Sequence, residues 1–297
     1  MEGLKGLERR KYRVTIAYDG TGYSGWQYQE NALGIQQVVE EVLAYLEGAP
    51  VRIFGSSRTD AGVHAKGFVG HFHLTKPIPP KNLLRAMNSR LPEAIRIVKA
   101  AYAADDFDAR LSATGKEYRY QLYRSDILPP HLVPYWTFCH RPLDLEAMRK
   151  AASYFVGRHD FVSFAANPNR ELDSTVRRIF SFEVRKAGPK YTFIVRGDGF
   201  LYKQVRSMVG FLISVGKGNE KPSAVRELLR AKTPRTARVE TAPSRGLFLW
   251  KVFYGKDVRR KTQDAGGKGD TWPLANQTIK QSNNQTIHKC STIFPST

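Results

Sequence analysis

Short strand-like runs alternate with helical patterns across residues 10–254, and this alternation constrains the fold more than any other feature. Tyr12, Val14 and Ile16 occupy every second position, as on a half-buried strand. The apolar residues of 35–47 instead recur at the spacing of an amphipathic helix. The pattern predicts an α/β chain of α+β type, with two similar lobes of mixed, mainly antiparallel sheet flanked by helices around a central active-site cleft.

The predicted strands are 11–18, Val51–Phe54, Gly67–Leu74, Ile95–Tyr102, Lys116–Arg124, Val176–Lys186, Tyr191–Gly197 and Gly246–Tyr254. The predicted helices are 35–47, Pro80–Leu91, one from Leu145 that ends near Gly157, 201–215 and 222–231.

These elements divide the chain into an N-terminal lobe over 1–105 and a C-terminal lobe over 106–255. Residues 256–297 are polar and rich in Asn, Gln, Thr and Ser, so they cannot bury enough apolar surface to order themselves. We therefore predict a disordered tail there.

Net charge points to a polyanionic partner. Lysine and arginine number 47 against 27 aspartates and glutamates, a formal net charge of +20. Residues 256–297 carry seven basic and three acidic side chains, or +4, which leaves +16 for the lobes. Because the excess belongs to the predicted lobes, a nucleic acid is the first partner to consider.

Other classes of protein are disfavoured by what the sequence lacks. The two cysteines, Cys139 and Cys290, are too few and too far apart for a disulfide framework or a zinc site. The first ten residues contain no apolar signal region, and no run of about eighteen apolar residues occurs. We expect a soluble cytoplasmic protein with no membrane partner.

The loop Phe54–Ala65 concentrates ionisable side chains between two predicted strands. Strands hold a rigid frame while the loops between them expose functional groups, so Arg58, Asp60 and His64 are candidates for an active site. The same Arg-x-Asp spacing also suits a turn held by an internal ion pair. These residues alone leave both interpretations open.

Six stretches together carry a resemblance to a known family. They are Tyr18-Asp19-Gly20-x-x-Tyr23-x-Gly25-Trp26-Gln27, Ser57-Arg58-Thr59-Asp60-Ala61-Gly62-Val63-His64-Ala65, Lys116-Glu117-Tyr118-Arg119-Tyr120, Asp160-Phe161-x-Ser163-Phe164, Phe200 with Arg206-x-Met208-Val209-Gly210, and Gly246-Leu247-Phe248-Leu249. In this order and spacing, over about 10–255, the chain resembles the tRNA pseudouridine synthase A family.

The resemblance implies isomerisation of uridine to pseudouridine at positions 38, 39 and 40 of the tRNA anticodon stem-loop. It implies a reaction without cofactor or metal, and a homodimer in which one tRNA contacts both subunits. A different RNA target, or an RNA-binding module without catalysis, remains an alternative. The chemistry needs one nucleophilic carboxylate and a dry pocket.

By resemblance, Asp60 is the nucleophile, and Tyr118 stacks on the target base. Arg58 either pairs with Asp60 or fills the space that the flipped nucleotide leaves. Arg206 lies in an apolar helix, where an unpaired charge is costly, so we expect it to pair with Asp60. His64 either contacts the phosphate backbone or fixes the loop.

Basic side chains near these motifs are candidate phosphate ligands. They are Arg110, Lys116, Arg119, Lys203 and Arg245. One position departs from the resemblance: many family members carry glycine where this chain has Ser57. A serine there would be strained if the backbone required a positive φ.

Overall fold

A computed structural model of the protein describes residues 9–166 and 174–255. Within them, ten strands form one sheet: β1 Arg10–Tyr18, β2 Phe54–Gly55, β3 His64–Leu74, β4 Ile95–Tyr102, β5 Ala113–Arg124, β6 Thr137–Cys139, β7 Gly157–Asp160, β8 Val176–Ala187, β9 Lys190–Gly197 and β10 Leu247–Tyr254. The α-helices of the same ranges are α1 Ile35–Glu47, α2 Pro80–Asn88, α3 Leu145–Ser153, α4 Gln204–Gly216 and α5 Ala224–Ala231. The predicted tail 256–297 lies outside the described residues.

The sheet runs in the order β4-β1-β3-β10-β5-β9-β8-β7, with β2 added to β3 and β6 to β5. Most neighbours are antiparallel, but β3 and β10 pair in parallel through His64–Phe248 and Ala65–Leu249. This pair joins strands from the two halves of the chain. A side chain at Gly67 would place its Cβ 2.6 Å from the carbonyl oxygen of Trp250, so glycine permits the close approach beside the junction.

The core follows the predicted periodicities. Tyr12, Phe68 and Phe72 are fully buried on the sheet, and burial of each such side chain is worth about 1.5–3 kcal/mol. Helix α4 is buried on nearly every face because its sequence is apolar almost all round. The Phe211 ring of α4 packs edge-on against Phe164 at 5.8 Å between centroids. Both α4 and the sheet are therefore firm supports for side chains that project from them.

The predicted fold class is confirmed, since a mixed sheet of mainly antiparallel strands is flanked by helices. Helix α1 has the predicted bounds and ends at Gly48, whose φ of 79° is left-handed and whose N–H donates to the carbonyl of Ala44. The boundary between lobes at residue 105 stays a prediction.

Several element assignments were wrong in detail. Strand β2 covers two residues instead of Val51–Phe54, and α2 ends at Asn88 instead of Leu91. Strand β7 forms in a stretch where no strand was predicted, because it pairs with β8. Strand β6 was missed: three residues in a Pro-rich stretch are too few for a period, and only pairing with β5 defines them.

Helix α4 begins at Gln204 and not at residue 201, because Lys203 has a left-handed φ of 57° that interrupts the helix. None of the helices in the described ranges is long and apolar enough to cross a membrane.

Candidate active site

The loop between β2 and β3 lies next to the parallel junction of the two halves of the sheet. Its turn closes through a hydrogen bond from the Val63 N–H to the carbonyl of Asp60, and Gly62 supplies the left-handed φ of 71°. The hydroxyl groups of Thr59 and Tyr18 lie 2.8 Å apart in the interior. The loop is thus anchored on both sides of Asp60.

The segment after β1 packs beneath this loop. Gly25 has a φ of 91°, and a Cβ there would lie 2.3 Å from the carbonyl oxygen of Thr59. The Trp26 N–H donates to that same carbonyl, and the Trp26 ring stacks on Phe68 at 3.8 Å between centroids. Trp26 is buried. This aromatic and glycine-rich stretch therefore supports the loop by packing and does not expose a Trp26 surface for stacking on RNA.

Asp60 forms an ion pair with Arg206, as the sequence predicted. Nη1 of Arg206 donates to Oδ2 of Asp60 at 2.8 Å, and Nε donates to the carbonyl of Ala242 at 2.8 Å. The two side chains are only 14% and 19% exposed for Arg206 and Asp60, respectively. Helix α4 therefore presents a cation held in place by the backbone, and this cation orients one oxygen of the carboxylate.

Arg58 does not pair with Asp60. Its side chain is exposed and forms no hydrogen bond or ion pair among the residues that the structure describes. The interpretation of the Arg-x-Asp motif as a turn held by its own ion pair is therefore wrong. An exposed guanidinium two residues before Asp60 in the chain leaves Arg58 available to a ligand.

Tyr118 lies on β5 with its ring buried, 5.2 Å edge-on from Phe200. Its hydroxyl is 3.2 Å from the Ser57 hydroxyl. Burial raises the Tyr118 pKa to about 12; the Ser57 contact lowers it and the nearby Asp60 charge raises it. Tyr118 is thus a neutral phenol at the loop, close enough to Asp60 to feel its charge. The sequence motif included Phe200, but its edge contact with Tyr118 was not foreseen.

Lys116 lies two residues before Tyr118 on the same strand, and its Nζ is 3.3 Å from the Ser57 hydroxyl. Burial, together with the charges of Arg110 and Arg177, lowers the Lys116 pKa to about 8. Ser57 does not have a positive φ. The concern about strain at this position is therefore unfounded, and its hydroxyl is an addition to the site.

His64 is fully buried, so it cannot contact a phosphate in this conformation. Its Nε2 lies 3.1 Å from the carbonyls of both Pro134 and Arg245, and Nδ1 accepts from the Gly20 N–H at 3.0 Å. Asp19 lies 3.1 Å from the same Nδ1. Of the two predicted roles, the geometry favours fixing the loop.

The other basic candidates are dispersed. Arg119 faces away from Tyr118: it donates to the buried Glu117 at 2.7 Å and lies 3.9 Å over the Trp250 ring. These contacts already occupy its guanidinium, which argues for a structural role. Lys203 directly precedes α4 and stacks on Tyr202. Arg110 and Arg245 are exposed.

Comparisons with known proteins agree on one family. A family model described as tRNA pseudouridine synthase matches residues 14–111 and 151–255. The chain is 43% identical to a tRNA pseudouridine synthase A of Exiguobacterium sibiricum, over 82% of this chain and 97% of that protein. It is 45% identical to a protein of the same name from Syntrophotalea carbinolica, over 82% and 95%. A third, from Chlamydia trachomatis, is 42% identical over 82% and 92%.

Proposed function

The chain belongs to the tRNA pseudouridine synthase family, and from this premise we propose that it converts uridine to pseudouridine in tRNA with Asp60 as the nucleophile. The observation that carries the proposal is the shielded Asp60 carboxylate, oriented by Arg206 at 2.8 Å. We further propose positions 38, 39 and 40 of the anticodon stem-loop as the targets, and the cytoplasm as the place of action.

The reaction conserves every atom of the nucleotide. The N1–C1′ bond breaks, the uracil rotates, and a C5–C1′ bond forms; C5 then loses its proton and N1 gains one. A carboxylate can serve by bonding to C1′, by adding to C6 of the base, or by assisting a glycal route. Each route requires an ionised carboxylate with a fixed direction of approach. The hydrogen bond from Arg206 supplies the fixed direction.

The base needs a surface that holds it during rotation. Phe200 packs edge-on against the Tyr118 ring and holds it in place. Because the ring is buried, its stacking on a uracil requires the side chains that cover it to move. Its hydroxyl lies at the Ser57 side of the site and can meet the edge of that base.

Extraction of a stacked uridine costs a few kcal/mol, which contacts elsewhere must offset. Arg58 is suited to fill the vacated space, since it is exposed and unpaired within the described part of the chain. The +16 charge of residues 1–255 supplies phosphate contacts, with Arg110 and Arg245 as exposed candidates. We also propose a homodimer that shares one tRNA, on the strength of the resemblance.

The test is to map pseudouridines in tRNA from a strain that lacks the protein. We expect modification at 38, 39 and 40 to disappear, to return with the wild-type chain, and to stay absent with Asp60→Asn, which removes the charge and nearly preserves the shape. Arg238→Ala, which breaks the ion pair with Glu220 outside the site, is the matched control and should restore modification.

The results also separate the alternatives. Restoration by Asp60→Asn would support an RNA-binding protein without catalysis, and persistence of the three modifications in the deletion strain would refute the assigned targets.

A further inference from the structure

A hydroxyl joins two ionisable groups beside Asp60. Ser57 Oγ lies 3.2 Å from the Tyr118 hydroxyl and 3.3 Å from Lys116 Nζ. Lys116 and Tyr118 are alternate residues of β5, so their side chains project from the same face of the strand. Ser57 reaches both from the loop that carries Asp60. The three groups form a continuous chain of hydrogen-bonding partners.

The charges around Lys116 distinguish it from a surface lysine. The groups that act on it are Arg110 from the segment before β5 and Arg177 at the start of β8, both cations. Its own strand contributes the neutral Tyr118, and the loop contributes the neutral Ser57. This surrounding lowers the Lys116 pKa to about 8, so the neutral amine, which can accept a proton, becomes the main form only above that pH.

We propose that Ser57 and Lys116 form a proton relay that removes, through Tyr118, the hydrogen that C5 of the base loses. The inference rests on the proposed function and extends it to the last chemical step. Of these three groups, Tyr118 is the one that we place against the base, while Asp60 remains the nucleophile. Ser57 and Lys116 act through Tyr118.

The step balances without any further reactant. Once C5 is bonded to C1′, its hydrogen passes as a proton to the Tyr118 oxygen, and the C–H electron pair restores the double bond of the ring. The phenol proton passes to Ser57 Oγ, and the serine proton passes to Lys116 Nζ, which becomes an ammonium. The Tyr118 phenol is regenerated in the same concerted step, so no free tyrosinate accumulates. The raised pKa of Tyr118 disfavours a tyrosinate. Lys116 later releases its proton to solvent, while N1 takes one up.

A competing role for Lys116 is that of a phosphate ligand, as the sequence suggested. The two roles require opposite protonation states, because a phosphate ligand must be an ammonium and a proton acceptor must be an amine. Lys116→Arg therefore separates them, since arginine keeps the charge and is never a proton acceptor at these pH values.

The experiment follows tritium release from C5-tritiated uridine in a tRNA transcript, in single turnovers at saturating enzyme from about pH 6 to about pH 9. For the wild type, the rate constant should rise with pH around a midpoint near the Lys116 pKa of about 8. Ser57→Gly, Lys116→Arg and Lys116→Met should lose this rise and run about 100-fold slower at the alkaline end. Lys99→Met, which removes an exposed lysine of β4, should behave as the wild type.

A deuterium isotope effect at C5 provides a second readout that a merely structural role would not change. It should grow in Ser57→Gly, because proton removal becomes slower than the steps before it. tRNA affinity, measured in parallel, should stay unchanged in Lys116→Arg and so show that this variant is folded.

A pH rise that persists in Ser57→Gly or Lys116→Arg would overturn the relay, as would a wild-type rate independent of pH. Recovery of both affinity and rate by Lys116→Arg, after their loss in Lys116→Met, would assign Lys116 to a phosphate instead. Absence of tritium release from the wild type would refute the proposed function itself, which is a different result.

Discussion

Replacement of Arg206 by alanine tests whether the chemistry depends on the oriented carboxylate. The bond between Arg206 and Asp60 is 2.8 Å long, and the side chains are 14% and 19% exposed. Removal of one partner from a buried ion pair costs about 3–5 kcal/mol, and the partial exposure of this pair places it near 3 kcal/mol. If the whole loss raises the barrier, kcat falls by about two orders of magnitude.

The assay is the rate of pseudouridine formation in single turnovers at saturating enzyme, with KM and tRNA affinity measured separately. Arg206 contacts Asp60 and a backbone carbonyl, so its loss should lower kcat and leave affinity nearly unchanged. Arg206→Lys retains a charge but not the planar fork that joins Asp60 to Ala242, so it should recover only part of the rate.

Arg238→Ala is the control, because it removes an arginine that forms an ion pair, through two hydrogen bonds to Glu220, outside the site. It should leave kcat unchanged. A kcat for Arg206→Ala within threefold of wild type, or a loss confined to affinity, would show that Asp60 does not need its cation.

Four further predictions concern the loop, its supports and the tail. Arg58→Ala should leave the melting temperature unchanged, since surface changes usually alter the free energy of unfolding by no more than about 0.5 kcal/mol. Turnover should nevertheless fall about 30-fold if Arg58 offsets about 2 kcal/mol of the cost of base extraction. A turnover equal to that of the wild type would refute that role. His64→Ala should lower the free energy of unfolding by about 3 kcal/mol in a urea titration, because the backbone groups of Gly20, Pro134 and Arg245 lose their hydrogen-bond partner. An unchanged urea midpoint would contradict this. Burial raises the Asp19 pKa, but the neighbouring His64 and the hydrogen bonds from Thr21 and Tyr135 lower it more, so the net pKa lies below its usual value. The stability that Asp19 contributes should therefore be complete above about pH 4 and lost as the pH falls further. In thermal melts at several pH values, Asp19→Asn should make the melting temperature depend less on pH below about pH 4. Deletion of 256–297 should leave turnover unchanged, and a large loss would contradict the prediction of a disordered tail.

Much of the site was predictable because its motifs are local. Arg58 and Asp60 are two residues apart on one loop, and a charged Arg206 in an apolar helix requires a partner whatever the fold. The role of Trp26 was less certain from sequence, since an aromatic residue near glycines suits either packing or stacking. Burial against Phe68 decided the matter, and burial is a property of the assembled sheet.

The sequence by itself determined the fold class, most of the strands and helices, and the need of Arg206 for a partner, because periodicity and the cost of an unpaired buried charge act within short segments. Tertiary structure decided what depends on elements far apart in the chain. The parallel pairing of β3 with β10, which itself pairs with β5, places the loop beside β5. In this position His64 is buried, and Ser57 lies between Tyr118 and Lys116. No local pattern encodes that last contact, since it spans about sixty residues of chain and forms only when the two halves of the sheet meet.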